Sequence, residues 1–203
     1  MPPADEAAGS LVGTVRRLQV QRSRLKAGPK GQRSYDPSPL LEVDEVQVDP
    51  RGLTAPDGAL DVHHADHPDS RNVRLVNGLS VLPLAHYQLL RDRFGPHVVD
   101  GSAGESLLLD TDGPLEESDL GGTLLLDTVG PDGVPGEPLT LTGGQAAPPC
   151  IEFSRWVLGR APGSPVDDAV QQAMDFLQDG RRGFYLAATG TGRVVVGAQL
   201  RRA

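Results

Sequence analysis

The side chains best suited to chemistry in this 203-residue chain are one thiol, a tight group of histidines and a run of arginines. Cys150 is the single cysteine and follows Pro148 and Pro149. The two prolines fix the backbone direction and remove two N–H donors, so the thiol sits on a stiff shoulder. A cysteine works as a nucleophile or soft-metal ligand only as its thiolate, which nearby positive charge or a metal favours. Arg155 follows closely and can supply such charge. The competing reading of a lone cysteine is a small buried hydrophobe without reactivity. His63, His64 and His67 stand among Asp61, Asp66 and Asp69. On a helix, the step from His63 to His67 would bring two imidazoles to one face, as in some zinc sites. But His67-Pro68-Asp69 reads as a loop, and no glutamate completes a metalloprotease pattern. Solvated loop histidines are the expectation.

Between Arg16 and Arg33 lie seven basic residues, including Arg22, and no acidic one, although the whole chain carries a net charge of −8. The acidic total argues against nucleic acid, whose phosphates need a broad positive face. A local basic segment suits a small anionic ligand, or else is a solvated strand and loop. Lys26 and Lys30 are the only lysines, both in a Gly- and Pro-containing loop, so pyridoxal phosphate chemistry is disfavoured. Gly104-Glu105-Ser106 leads into the apolar run Leu107 to Leu109, where a glutamate either caps backbone groups or meets an arginine inside the fold. No Gly-x-Ser-x-Gly elbow supports acyl hydrolysis.

These residues need a scaffold, and the punctuation of the chain suggests its kind. Twenty-five glycines and eighteen prolines cut the sequence into short pieces. Val12–Val20, Glu42–Val48, Asn72–Val76, Leu107–Leu109, Thr123–Val129 and Leu139–Thr142 read as strands bounded by turn residues. Gly183–Ala188 and Arg193–Leu200, around Thr189-Gly190-Thr191-Gly192, read as a closing hairpin. Leu84–Phe94, after Pro83 and before Gly95, reads as a helix, and so does Ser164–Asp179. In the latter Ser164 would be the N-cap, and Val166, Val170, Ala173 and Leu177 would form one apolar face. Many short strands and few helices predict a mainly β fold, a barrel or sandwich with peripheral helices. Residues 11–203 make one domain of ordinary size. Residues 1–10 read as a flexible N-terminus, too acidic for a signal peptide. One cysteine permits no internal disulfide, and no apolar run approaches the ~20 residues of a membrane span, so a cytoplasmic protein is expected.

The order of these features resembles the MOSC family, named for the C-terminal domain of molybdenum cofactor sulfurase. That family also contains small bacterial proteins and the mitochondrial amidoxime-reducing components. The resemblance runs from the strand ending Leu18-Gln19-Val20, through the histidine loop to Arg71-Asn72-Val73, a helix and Gly104-Glu105-Ser106-Leu107. It ends on Pro149-Cys150, Gly183-Phe184-Tyr185 and Val194-Val195-Val196-Gly197. The family's loop, His-Gly-Gly-x-x-Arg-Ala-Val, matches at Arg71 and Val73, with the glycines replaced around His67-Pro68-Asp69-Ser70 and Asn72 at the alanine. Its Gly-Glu-Asn-Leu motif matches with Ser106 for asparagine, and Ala198 stands where aspartate is frequent.

The resemblance implies a β-barrel with a pocket for the molybdenum cofactor (molybdopterin) or a related sulfur-bearing ligand. It makes Cys150 the catalytic residue, as a sulfur carrier forming a persulfide or as a molybdenum ligand. Arg71, Gly104, Glu105 and Ser106 would line the cofactor site, and Arg16 and Arg22 of the basic segment would hold its phosphate. The resemblance is to the sulfurase's C-terminal domain and not to its pyridoxal-dependent desulfurase domain, so a sulfur transferase of this kind is expected to need a separate cysteine desulfurase as donor. Two other functions fit the same barrel: a non-catalytic module for an anionic metabolite, and a molybdenum-dependent oxidoreductase component.

Overall fold

The computed structural model describes residues 9–203; of the N-terminal segment 1–10, residues 1–8 lie outside the described residues. The strands, in chain order, are β1 (Leu11–Gln21), β2 (Lys26–Ala27), β3 (Ser34–Tyr35), β4 (Leu40–Val43), β5 (Glu45–Asp49), β6 (Gly52–Thr54), β7 (Leu79–Pro83), β8 (Leu107–Asp110), β9 (Leu124–Leu126), β10 (Leu139–Ala146), β11 (Phe184–Ala188), β12 (Gly192–Val195) and β13 (Gln199–Arg202). Helix α1 (Leu84–Phe94) joins β7 to β8, and α2 (Ile151–Val157) and α3 (Asp168–Phe176) lie between β10 and β11. The mainly β reading of the sequence holds.

Seven strands close into a barrel in the order β1-β13-β9-β10-β11-β7-β8, with β8 returning to β1 and β4 added at the end of β1. Closure depends on β1, which pairs with β13 at its start, β8 through its middle and β4 at its end. Its register slips between Leu11 and Gly13 against β13, and between Val15 and Arg17 against β8. Such bulges bend and twist a strand, and here they let one strand serve three partners. The β7–β8 pair is parallel, and α1 is the crossover that a parallel pair requires.

The barrel core is aliphatic: Leu18, Val20, Val81, Leu107, Leu109, Leu126, Leu141, Leu186 and Leu200 pack around Phe184. Leu82 and Leu108 point the other way, into a second cluster with Tyr87 and Leu90 of α1, Phe153 and Val157 of α2, and Leu177 after α3. Strands β7 and β8 are thus buried on both faces, which is why each reads as an apolar run without alternation. Tyr35 of β3 joins this second cluster, edge-on to Phe153 with centroids 5.0 Å apart.

Four element readings are corrected. Asn72–Val76 is an exposed turn, not a strand: Asn72 Oδ1 accepts from the Val76 and Asn77 amides, and Val73 stands 89% exposed. Glu42–Val48 is two strands broken at Asp44, because β4 serves the barrel and β5 a separate three-stranded sheet with β6 and β12. The closing hairpin does not form, since β12 pairs with β5 while β11 pairs with β10 and β7. Helix α3 begins late: Asp167, not Ser164, caps it, its carboxylate accepting from Val170 N at 3.0 Å, and Val166 is left outside and exposed. Strand β7 and helix α2 answer to no expectation from sequence.

Candidate functional site

The β2–β3 hairpin, the end of β1, the loop 61–77 and the start of β7 enclose a cavity of about 240 Å³ against Gly104, Glu105, Ala147, Arg182 and Tyr185. Five cations reach it: Arg24, Lys26, Arg33, Arg71 and Arg182. Arg24 is tied to Asp69 at 3.0 Å and Lys26 loosely to Glu152 at 3.8 Å. Arg33 and Arg71 have no carboxylate partner among the described residues.

Arg182 is the innermost of the five. It follows the turn after α3, and its Cζ sits 5.4 Å over the Phe153 ring. Its Nε is buried without a hydrogen-bond partner among the described residues, Nη2 makes a long contact of 3.5 Å to the Ala103 carbonyl, and the guanidinium lies close to the Tyr35 and Tyr185 hydroxyls. Burial opposes the guanidinium charge, but its placement beside Cys150, Tyr35 and Tyr185 offsets that, and Arg182 holds its proton more firmly than an ordinary arginine. Burial likewise pushes the Tyr35 phenol up, and Arg182 offsets only part of the rise. Tyr35 is therefore neutral and donates to the Ser102 carbonyl at 2.7 Å. A buried guanidinium with an unmet N–H costs free energy that an anion would recover.

Cys150 caps α2: its Sγ accepts from Phe153 N at 3.4 Å, and Ser154 Oγ donates to the Cys150 carbonyl at 3.0 Å. The thiol is half-buried against the second core cluster, on the Tyr35 and Arg182 side, but does not form part of the cavity wall. The positive charge expected from Arg155 goes elsewhere, since that side chain donates to the Ser164 carbonyl.

Gly104 does line the cavity, with φ +89°, and a Cβ there would meet Leu25 Cδ1 at 2.7 Å. The positive φ is a conformation that glycine adopts without strain. Glu105 is 3% exposed, and its two carboxylate oxygens take the Tyr87 hydroxyl at 3.0 and 2.8 Å. Burial pushes its carboxyl up from 4.5 to about 7, against partial relief from its own backbone N–H, Tyr87 and Arg17. The group binds its proton more tightly folded than unfolded, so this contribution to stability is complete below about 4.5 and fades as pH rises through about 7. Glu105→Gln is expected to remove roughly 3 kcal/mol of the stability difference between pH 4.5 and 8, measured by urea unfolding beside wild type.

The remaining site residues fall outside the cavity wall. Ser106 is a clamp between β7 and β8: its Oγ accepts from Ser80 N at 2.8 Å, and its own N donates to Ser80 Oγ at 3.1 Å. Arg16 is exposed at the β1 bulge, and Arg22 pairs with Asp57 on the surface. The basic segment reaches the cavity instead through Arg24, Lys26 and Arg33. Of the three loop histidines only His63 lines it, and no group of three metal-ligating side chains converges among the described residues. Tyr35 and Arg182 had no motif to announce them, and Tyr185 entered only within Gly183-Phe184-Tyr185; the one local cue to Arg182 was Gly180-Arg181-Arg182-Gly183, a glycine-bracketed pair of arginines.

A closed barrel with a cationic, tyrosine-lined cavity at one end defines the class structurally. No family model and no curated protein matches the chain. Among solved structures it is similar to YuaD from Bacillus subtilis, at 13% identity over 94% of each chain, with a TM-score of 0.58. It is also similar to YiiM from Geobacillus stearothermophilus, at 16% identity over 93% of this chain and 73% of that one, with a TM-score of 0.51. Both are MOSC-domain proteins, and the likeness is one of fold: this chain has a MOSC-like barrel. No helix among the described residues is long and apolar enough to cross a membrane.

Proposed function

We propose that the cavity binds an anionic, sulfur-bearing ligand of the molybdenum-cofactor type, with Cys150 beside it as sulfur carrier or molybdenum ligand. The observation that carries this reading is Arg182, a buried cation with an unpartnered Nε between Tyr35, Tyr185 and Cys150. The donor set fits such a group. Arg33 and Arg71 make no ion pair among the described residues and suit a phosphate, by bidentate contacts that lysine cannot make. A thiol is the soft donor that thiolate-preferring metals take. When bound, the cofactor would supply a redox-active, sulfur-ligated metal. This chain's own residues would orient it: Gly104 by close backbone approach, Arg182 by charge.

The test is metal and sulfur analysis of protein made in a cofactor-competent host. Molybdenum near one per chain is expected, or an added sulfur mass on Cys150 after incubation with a cysteine desulfurase. Cys150→Ser should lose either signal. Wild type with neither metal nor added sulfur would overturn this reading. A second reading, an anionic-metabolite module without covalent chemistry, is favoured by the position of Cys150 outside the cavity wall. It predicts unchanged ligand affinity in Cys150→Ser.

A further inference from the structure

His63 is set apart from its two neighbours by what its ring nitrogens do. His64 is buried, and its Nδ1 accepts from Asp66 N at 3.2 Å. His67 accepts from Asp69 N at Nδ1 and lies 3.3 Å from the Arg22 carbonyl at Nε2. Both serve the loop. His63 instead places Nδ1 2.9 Å from Asp61 Oδ1, and its Nε2 has no hydrogen-bond partner among the described residues. The ring lines the cavity, 6.3 Å from the ring of Tyr185.

Asp61 is built to stay where it is. Only 2% exposed, it accepts from Gln21 N at 2.7 Å and from His63 N at 2.8 Å, in addition to the imidazole. A fixed carboxylate at Nδ1 selects the tautomer that carries its proton there, and leaves the Nε2 lone pair open. The same carboxylate stabilises the imidazolium that forms when Nε2 takes a proton. A metal-binding role for this arrangement lacks further ligands among the described residues.

We infer that Asp61 and His63 form the proton-handling pair of the cavity: as an oxyanion binds, His63 Nε2 takes a proton from solvent and donates it as a hydrogen bond to the ligand. The inference rests on the anion-binding reading of the cavity and adds to it the group that couples binding to a proton. Facing His63 in the same cavity are Tyr185, Glu105, Asp69 and the five cations. Glu105 is a second group able to gain a proton near neutrality, so the readout has to be residue-specific.

The full chain labelled with 15N-histidine gives that readout, since its five histidines resolve by long-range 1H–15N NMR. Sulfate is the probe, because it does not titrate near neutrality. The free protein at alkaline pH should show His63 as the Nδ1–H tautomer, and saturating sulfate should raise its titration midpoint by roughly one pH unit, the lower end of what one close opposite charge does. The other four histidines should respond far less. Asp61→Asn, which keeps an acceptor for Gln21 N, should turn His63 to the Nε2–H form and shrink the sulfate response. Arg22→Met, which breaks only a surface pair with Asp57, should leave both intact. A wild-type His63 in the Nε2–H form, or sulfate shifts at other cavity residues without one at His63, would overturn the inference alone. Sulfate that disturbs no cavity residue would overturn the anion-binding reading with it.

Discussion

Replacing Arg182 by methionine should lower the affinity for sulfate by about ten- to a hundredfold. The size follows from the interaction: a hydrogen bond from a charged donor contributes roughly 1.5–3 kcal/mol, and each 1.4 kcal/mol is tenfold in affinity. Methionine is the informative choice because it continues to cover the Phe153 ring while removing the charge and the unmet Nε–H. Arg182→Lys should fall between, since it restores a point charge without the planar fork. Arg22→Met, which breaks only the surface pair with Asp57, should bind as wild type does. Calorimetric titration of the three variants decides the matter. Equal affinity in wild type and Arg182→Met would leave the cavity without its anion site.

The second large effect is on stability, and it comes from a residue two positions earlier. Gly180 has φ +79°, and a Cβ built on it would lie 2.0 Å from Phe184 Cζ. Phe184 is fully buried in the barrel core, so its ring has nowhere to retreat. The Gly180 carbonyl is also held by His86 Nδ1 at 3.1 Å, which blocks the turn from swinging away. Gly180→Ala should therefore cost roughly 3 kcal/mol, from overpacking together with a left-handed conformation that side chains resist. For a chain of this length that corresponds to a fall in Tm of about 6–12 °C. The turn carries Arg182, so sulfate binding should weaken in the same variant. Scanning calorimetry showing an unchanged Tm would mean that the turn and ring can move apart.

The sequence made the class of fold legible, but not its wiring. The strand around Leu18 and Val20 announces itself by alternation, and Leu84–Phe94 by Pro83 and Gly95, because local chemistry sets those boundaries. Leu79–Pro83 escapes because both of its faces are buried and no alternation survives. The reading of Asn72–Val76 as a strand fails for the opposite reason. Its valines stand in solvent, and the Asn72 side chain, invisible to a hydrophobicity pattern, organises the turn. The hairpin fails because Thr189–Gly192 looks like a two-strand turn, whereas long-range pairing with β5 claims β12.

The site divides in the same way. Gly104 and Glu105 were legible as a motif, and both line the cavity, but Arg16 and Arg22 point outward while Arg24 and Arg33 of the same segment point inward. Which arginine faces a cavity depends on a bulge and on a hairpin with strands of only two residues, and neither has a compositional signature. Tyr35 lies far along the chain from Arg182 and Tyr185, and only the packing of the β2–β3 hairpin against the barrel brings them together.

That closure sets when the protein can fold. Strand β1 meets its partner β13 only after every other barrel strand has been made, and Arg202 N then donates to the Ser10 carbonyl at 2.9 Å. During synthesis on a ribosome the first strand waits with an open edge until the last one emerges, and such an edge invites pairing with another nascent chain. The same adjacency means that a short linker between the ends, with a new opening in the exposed turn at 129–136, would leave every barrel pairing in place. Such a circular permutant would carry β1 and β13 as one hairpin and would make β9–β10 the pair that closes the barrel last.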